Sequence, residues 1–477
     1  MRKRPAIATV PALALLAACG SVPAGGGAGG TGGGSGVGGG ATGGATGTGG
    51  SGPSGGTGTG GGAAAGNGGS GAGGLGAVGG ETGAGGSAPG TCGGQPLLVA
   101  AGPAFSCGDS GQIFEAAGRA DNRVNYAILG DGYDGASIET TFIEHAENML
   151  HHESAGFYSA IGEPYARYRK FINICGLKLA SVDACIDNAD MGRSCDTLFD
   201  GRCEPPCDAA GTRLGVVDET LVNAALAQEV PGEVDIDWVG VSLNADETGW
   251  WNSGGSIMVW NGAFSDRLQS ASVALHEGGH TFHGLADEYG GTSQDCGEFQ
   301  EINSTADPAA EKWAHWLGYR DERTDARPRP QGLNGDTFGT FEQGAFEGSR
   351  YCDAGQYRPS EDSQMNQLPQ PFNMPSIEKI ILDIYSIVEP IDAHTDSSEP
   401  LIAPTSLQVR VVDTEILTIE WSVDGAVIAG ESGECFVLPP LSTGEHEVSV
   451  RVVDGTEWVR RDRELLEQTV SWQLVVP

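Results

Sequence analysis

Positive charge is scarce in this sequence. Its 477 residues include 26 lysines and arginines against 63 aspartates and glutamates, which gives a formal net charge of −37 at pH 7. A chain this acidic repels phosphate groups, so its composition argues against a nucleic-acid partner. For the same reason charge alone would not attract it to an anionic membrane surface.

Long apolar runs are also missing. The longest candidate, Ala6 to Ala18, follows the basic residues Arg2, Lys3 and Arg4 and is too short to span a bilayer. This pattern is typical of a secretory signal at residues 1–19. The signal ends in Leu-Ala-Ala-Cys19, which resembles a bacterial lipoprotein box and implies an exported protein held in the cell envelope by lipid on Cys19, at the outer membrane or cell surface. An ordinary cleaved signal is the alternative.

Charge is almost absent from residues 20–90. This segment holds 38 of the 78 glycines, and Glu81 is its one charged residue. It has too little apolar surface to repay the entropy of folding, so we predict a disordered tether. A collagen-like repeat is excluded because the glycines keep no period of three. Folding is therefore expected from Thr91 onward.

Cysteine usage fits export. If lipid takes Cys19, ten of the eleven cysteines remain, enough for up to five disulfides in an oxidising compartment. Their connectivity is not readable from the sequence. A structural zinc site is the alternative for one cluster, although its spacings lack paired CxxC motifs. That cluster comprises Cys185, Cys195, Cys203 and Cys207.

The strongest chemical signal is an HExxH motif. Small or apolar residues from Leu268 to Phe282 recur at three- and four-residue steps, which predicts a helix. His276 and His280 are then one turn apart and can both reach one Zn²⁺, while Glu277 is placed beside it as a general base.

The third zinc ligand has several candidates. Gly284 is a natural helix stop, after which the reversed chain could bring Asp287 or Glu288 to the metal. We favour Asp287, because Gly284 to Asp287 repeats the Gly-x-x-ligand spacing of metzincins. His283 lies about 10 Å along the helix from His276, too far to share the ion, and is expected to act as a cationic cap. Tyr289 is a candidate to stabilise the reaction's oxyanion, with packing as its alternative.

The motifs together resemble a known family. The segments HEGGHTFHGLADEY, Ile128 to Tyr133 and Tyr357-Arg-Pro with Met365 are similar to the IgA-peptidase family of zinc metalloendopeptidases, and the similarity runs from about Asn122 to Val388. The resemblance implies a metzincin-like α/β fold, zinc ligands at His276, His280 and an acidic residue of the Asp287-Glu288 pair, and Glu277 as general base. It also implies that Met365 lies in a Met-turn below the metal; a core methionine is the alternative. Gly278 and Gly279 lower the intrinsic stability of the motif helix, so packing must support it.

The surrounding sequence predicts an α/β catalytic domain at residues 91–398. Strands are expected at Asn125–Leu129 and Ser256–Trp260, and a helix at Phe142–Leu150. By analogy with metzincins, the strand at 256–260 would be the edge that binds substrate. Alternating strands and turn residues predict a small immunoglobulin-like β-sandwich at 399–477, with Cys435 either free or bridged to another domain.

Two other candidate sites are weaker. Gly108-Asp-Ser-Gly111 resembles the nucleophile motif of trypsin-like proteases, but the histidine of those proteases precedes the serine, and here the first histidine is His145. Four aspartates could bind Ca²⁺, but no EF-hand pattern surrounds them, and a solvated acidic face is favoured. They are Asp187, Asp190, Asp235 and Asp237.

These features predict an exported, lipid-anchored zinc metalloendopeptidase. It would hydrolyse peptide bonds of protein or peptide substrates with a metal-activated water and Glu277 as base. The alternative is a non-catalytic surface adhesin built on a peptidase-like fold. Against it, His276, Glu277 and His280 and both acidic candidates are all present.

Overall fold

The computed structural model describes residues 97–99, 102–204, 214–245, 251–293, 295–321 and 342–477. The predicted signal peptide, with Cys19, and the predicted tether lie outside these residues, as do Cys92 and Cys207. No helix in the described ranges is long and apolar enough to cross a membrane.

A six-stranded mixed sheet organises the part of the chain that carries the HExxH motif. Its inner strands are parallel to one another, and the two edge strands run antiparallel to their neighbours. Every residue of the two strands at 124–131 and 172–177 is buried, as expected for a parallel sheet covered on both faces. In spatial order the strands are β2 (Gly111–Glu115), β4 (Ile172–Leu177), β3 (Val124–Asp131), β7 (Trp238–Leu243), β9 (Met258–Asn261) and β8 (Ser253–Gly254).

The four α-helices of the described residues include the predicted motif helix. The Asp266 side chain accepts a hydrogen bond from Gln269 N at the start of that helix, and Gly284 ends it in the left-handed conformation, with φ of 62°. The helix is buried along most of its length against β8, β9 and two other helices. The helices are α1 (Thr141–His151), α2 (Glu219–Glu229), α3 (Arg267–His283) and α4 (Met374–Ile387).

Two further sheets occupy the C-terminal part. Trp421 of one stacks on Phe436 of the other, with ring centroids 5.0 Å apart, so the sheets face each other. The immunoglobulin-like topology remains a prediction. The four-stranded sheet has the order β1 (Leu97–Val99), β12 (Ile391–Thr395), β14 (Ser406–Val411) and β17 (Cys435–Val437); the five-stranded sheet has the order β13 (Leu401–Ile402), β19 (Glu467–Val476), β18 (Gly444–Asp454), β15 (Leu417–Val423) and β16 (Ala426–Val427).

The C-terminal sheets recruit strands from outside residues 399–477. Both β1 and β12 precede the predicted boundary at residue 399. The C-terminal sheets and the helices around the motif share one hydrophobic core, which contains Tyr385 of α4 and Val450 of β18. The predicted division at 398/399 remains a prediction, but the described residues of the two parts pack as neighbours within one compact unit.

The described residues also contain two small antiparallel strand pairs, and three disulfides join described cysteines to each other. One disulfide joins Cys107 to Cys175 of β4, a second joins Cys185 to Cys195, and a third joins Cys296 to Cys352. The second bridge excludes the four-cysteine zinc site. Cys203 and Cys435 are also disulfide-bonded, so the alternative of a free Cys435 is wrong. The strands of the two pairs are β5 (Arg202–Cys203), β6 (Gly215–Val216), β10 (Phe346–Ser349) and β11 (Cys352–Arg358).

One expectation about the sheet needs correction. The predicted strand at 256–260 is present as β9, but it is bordered by β7 on one side and by β8 on the other. It therefore cannot be the edge. The sequence gives little indication of β8, because a two-residue strand containing a glycine has no periodicity to detect.

Candidate metal centre

Two histidines of α3 meet at one point. His276 and His280 lie one turn apart, and their Nε2 atoms are 3.1 Å from each other, with the rings perpendicular. This follows from helix geometry, since side chains at i and i+4 share a face. Both side chains are only 7% exposed.

Asp287 is the third member of the group. The left-handed Gly284 reverses the chain at the end of α3, and Leu285 N donates back to Gly279 O over 3.1 Å. As a result Asp287 Oδ1 lies 3.1 Å from His276 Nε2 and 3.2 Å from His280 Nε2. Among the described residues, these three side chains form the one cluster suited to hold a metal ion.

The backbone fixes the tautomer of both imidazoles. His276 Nδ1 lies 2.8 Å from the carbonyl oxygen of Gln364, and His280 Nδ1 lies 2.6 Å from that of Leu285. Because a carbonyl only accepts, each Nδ1 carries the proton and donates it, which leaves a lone pair on each Nε2. Carbonyl partners of this kind are usual for metal-binding histidines.

The donor set fits a zinc ion. Two Nε2 lone pairs and one carboxylate oxygen face each other at 3.1–3.2 Å. Donor atoms around tetrahedral zinc at its usual bond lengths are about 3.3 Å apart, so the spacing is close to that of a zinc shell. Three protein ligands also leave one position open, as in catalytic rather than structural zinc sites.

The electrostatics of the cluster favour positive charge at its centre. Burial lowers the pKa of His280, but the Asp287 carboxylate outweighs that effect and raises this pKa to about 9. Burial likewise raises the pKa of Asp287, but the two imidazoles hold it well below its usual range. A cation between these three side chains is therefore stabilised, and a metal ion would compete with a proton for the same lone pair.

Glu277 is buried beside this cluster, with 1% of its surface exposed. The Asn252 side-chain amide donates a hydrogen bond to Glu277 Oε1. Strand β8 runs close by: a Cβ atom placed on Gly254 would lie 2.5 Å from His280 Cβ and 2.8 Å from Glu277 Oε2. Glycine at position 254 therefore lets the edge strand approach the motif helix.

Glu288, the alternative third ligand, lies apart from the imidazoles. It is fully buried, and its carboxylate accepts hydrogen bonds from Ser363 Oγ at 2.6 Å and from the amides of Asn303 and Asn373, both at 2.8 Å. Glu288 thus links the segments that contain Asn303, Ser363 and Asn373. The structure brings Asp287, and not Glu288, to His276 and His280.

Tyr289 does not contact the cluster directly. Its hydroxyl lies 3.2 Å from that of Tyr351, and the Tyr351 hydroxyl donates to Asp287 Oδ2. Because the carboxylate can only accept, the Tyr351 hydroxyl donates its hydrogen bond to Asp287 and accepts one from the Tyr289 hydroxyl. The residue nearer the candidate ligand is therefore Tyr351.

Met365 is fully buried and packs against α3 at Gly279. Its Sδ atom would be 2.7 Å from a Cβ placed on Gly279, so this glycine makes room for it. Gly278 is also crowded, because a Cβ there would meet Phe157 Cζ at 3.1 Å. Packing of this kind supports the helix at the two glycines, as the sequence required.

The other sequence candidates are not part of the site. His283 is buried and bonds Asp383 of α4 at 2.9 Å. Burial lowers its pKa, which corrects the expected cationic cap. Ser110 bonds Glu229 Oε2 at 2.8 Å in a turn before β2. Within the described ranges the four aspartates considered for Ca²⁺ belong to no metal-binding group, and Asp237 accepts from the backbone of Asn125.

Sequence reasoning missed three residues that contact the site. Asn252 precedes the short strand β8, Tyr351 lies in a hairpin turn, and Gln364 contributes only its backbone carbonyl to His276. None of them belongs to a motif. Their positions follow from long-range contacts, so no local spacing could have indicated them.

The family comparison agrees with this geometry. Residues 113–332 match the IgA Peptidase M64 family, which confirms the family predicted from the motifs. Proteins of this family are metallopeptidases, and the matched residues contain the candidate His-His-Asp metal site. Asp287 lies within the matched residues, whereas Tyr351 and Met365 follow them.

Comparison with curated proteins and solved structures gives no further information about function. No curated protein matches the chain significantly. One solved structure that it resembles is the crystal structure of an engineered protein, at 12% sequence identity and a TM-score of 0.13. That similarity covers 72% of this chain and 62% of the other.

Proposed function

We propose that this protein is an exported zinc metalloendopeptidase that hydrolyses peptide bonds of proteins or peptides. One observation carries the proposal: His276 Nε2, His280 Nε2 and the carboxylate oxygen of Asp287 converge at 3.1–3.2 Å, and all three side chains are largely buried. Donor atoms at such distances need positive charge between them, which a proton supplies in the metal-free protein and a metal ion would supply in its place. The family match supports peptidase chemistry at this place in the chain.

His276, His280 and Asp287 would hold the zinc ion. Zinc bound there would supply Lewis acidity, polarising the scissile carbonyl and lowering the pKa of the attacking water. Glu277, adjacent in sequence and buried with the cluster, would take the proton from that water and return it to the leaving amine. Asn252 donates to Glu277 Oε1 and so helps to orient the carboxylate for this proton transfer.

The substrate would bind along strand β8. This strand is the edge of the central sheet, antiparallel to β9 and next to the motif helix. An edge strand offers unpaired backbone groups to which an extended peptide can bond. Gly254 brings that edge against His280 and Glu277, so a peptide bound there would lie across the proposed catalytic residues.

The proposed location is the bacterial cell envelope, with attachment through lipid on Cys19. Support comes from the sequence of residues 1–19. Expression of the full chain in a bacterial host with Cys19→Ser as the control tests this part separately. The wild type should fractionate with membranes and the variant should not; equal release of both would refute lipid attachment.

Peptide-library digestion tests the catalytic part of the proposal. The purified chain would be stripped of metal with a chelator, divided, and reloaded with zinc or magnesium before mass spectrometry of the products. Cleavage should disappear on stripping and return with zinc only, because imidazole ligands favour zinc and magnesium prefers an all-oxygen shell. Cleavage that survives stripping would refute a metallopeptidase, and zinc uptake without any cleavage would favour the binding-protein alternative.

A further inference from the structure

The turn between β10 and β11 has a conformation that its residues disfavour. Ser349 pairs with Cys352, so the loop consists of Arg350 and Tyr351 alone. Both residues have positive φ, 51° and 63° respectively. Two-residue hairpin turns of this kind normally use Asn-Gly, because side chains other than those of Gly, Asn and Asp are disfavoured in the left-handed region. A tyrosine at the second position needs a compensating contact.

The compensating contacts lead to the metal centre. Arg350 N donates to the carbonyl oxygen of Asp287 over 2.9 Å, and Tyr351 N donates to that of Tyr289 over 3.0 Å. The Arg350 guanidinium lies over the ring of Phe299, 3.4 Å from its centroid. A disulfide between Cys296 and Cys352 fixes the residue that follows the turn. The turn is therefore bound to the segment that supplies the third candidate ligand.

The Tyr351 side chain completes this arrangement. Its hydroxyl donates to Asp287 Oδ2, while Oδ1 of the same carboxylate faces His276 and His280. The ring also packs edge-on against Tyr289, with centroids 5.1 Å apart. Rotation of a carboxylate about its last bond is soft, so without a donor on Oδ2 either oxygen could turn toward the histidines. The hydroxyl removes this freedom.

We infer that Tyr351 is a positioning residue of the metal centre: held in a disfavoured left-handed turn, it fixes the Asp287 carboxylate so that Oδ1 alone is offered as a ligand. The inference rests on the proposed function, because it presumes that the cluster binds zinc. It assigns Tyr351 no contact with the metal. Outer partners of metal ligands commonly change metal affinity by about 10- to 100-fold when removed.

The test is zinc affinity of the full-length protein, measured by competition with a chromogenic chelator. Tyr351→Phe removes the hydroxyl and keeps the ring, and Tyr158→Phe makes the same change at a buried hydroxyl that has no hydrogen bond to the cluster. We expect Tyr351→Phe to weaken zinc binding by about 10- to 100-fold, and Tyr158→Phe to leave it unchanged. Tyr289→Phe should have a smaller effect than Tyr351→Phe, because its hydroxyl reaches Asp287 only through Tyr351.

A second readout separates positioning from folding. The visible spectrum of the cobalt-substituted protein reports the coordination of the ion, and it should change in Tyr351→Phe while the thermal midpoint of the metal-free protein stays near that of Tyr158→Phe. Wild-type zinc affinity together with an unchanged cobalt spectrum in Tyr351→Phe would overturn the inference. An equal loss in Tyr158→Phe would also overturn it. Failure of the wild type itself to bind zinc would instead refute the proposed function.

Discussion

Two adjacent acidic residues have different surroundings in this protein. Asp287 faces two imidazole lone pairs, whereas the carboxylate of Glu288 accepts hydrogen bonds from a serine and two asparagines. Burial raises the pKa of Glu288, and these donors act in the opposite direction. The first carboxylate is therefore available to a metal, while the second connects segments of the chain.

This difference gives a test with matched amide variants. Asp287→Asn should lower zinc affinity by more than about 100-fold, because loss of a ligand exceeds the usual cost of losing an outer partner. Glu288→Gln should still bind one zinc per chain, but should lower the free energy of unfolding by about 1–3 kcal/mol, since an amide nitrogen would face donors. Isothermal titration and urea unfolding measure the two quantities. The reverse pattern would make Glu288 the ligand.

At the residue scale the motif predicted the site only in part. Helical spacing alone placed His276 and His280 together, and the helix stop at Gly284 made Asp287 the favoured third candidate. Spacing could not choose firmly between Asp287 and Glu288, because that choice depends on Ser363 and Asn373, which are distant in sequence. Tyr289, the predicted oxyanion donor, reaches Asp287 only through Tyr351, and no local spacing indicates Tyr351 because a hairpin turn distant in sequence brings it to the site.

Helix α3 and strand β8 are the two elements that position the site. The helix was predictable, because its stripe of small and apolar residues, its cap and its glycine stop are all local signals. The edge strand was not, because its place is set by pairing with β9 and by contact with the helix. Gly254 is the residue at which the two elements touch.

A methyl group added at Gly254 should therefore disturb the motif helix. Its nearest neighbour would be His280 Cβ at 2.5 Å, which is part of a packed helix and cannot move aside freely. We expect Gly254→Ala to lower kcat/KM by about 5- to 150-fold, the kinetic equivalent of 1–3 kcal/mol of overpacking. Steady-state kinetics on a cleaved library peptide measure this change.

Gly255→Ala is the matched control for that variant. A Cβ at position 255 would have only Glu219 Oε1 within reach, at 4.0 Å. It should leave kcat/KM within about twofold, since it fills open space. If Gly254→Ala behaves like Gly255→Ala, the close contact between β8 and α3 does not position the site.

At the scale of the whole molecule, buried polar contacts join the C-terminal sheets to the helices around the motif. Asp454 at the end of β18 is fully buried and accepts from Tyr168 Oη at 2.5 Å and from Tyr385 Oη at 3.0 Å. Glu378 of α4 accepts from Trp316 Nε1 at 2.7 Å and from the backbone of Arg460. Such contacts favour cooperative unfolding of the two parts.

Asp454→Ala tests this coupling. The variant leaves two buried hydroxyls without their acceptor, so the free energy of unfolding should fall by about 2–5 kcal/mol. Glu467→Ala, which breaks an exposed ion pair with Arg451 in the same sheet, should cost less than about 1 kcal/mol. Urea unfolding followed by fluorescence and circular dichroism should show one transition in both variants. Two separate transitions in the wild type would show that the parts fold independently.

Sequence alone predicted one α/β part and one β-rich part, but not how the two parts join. Alternation in β15 and β18 was visible in the sequence and is confirmed by their burial pattern. By contrast, β1 and β12 pair with a sheet whose other strands lie beyond residue 399, and Asp454 accepts from Tyr168, which is 286 residues earlier in the chain. These are contacts between distant segments, which local periodicity does not encode.

The most direct test of the central claim is hydrolysis of one defined peptide by zinc-loaded wild type and zinc-loaded Glu277→Gln, with the metal content of both measured. Glutamine keeps the shape of the side chain and its contact with Asn252 but cannot take a proton. We predict one zinc per chain in both proteins and a rate about 10²- to 10⁴-fold lower in the variant. Equal rates at equal zinc content would contradict the account, because Glu277 would then not be the base.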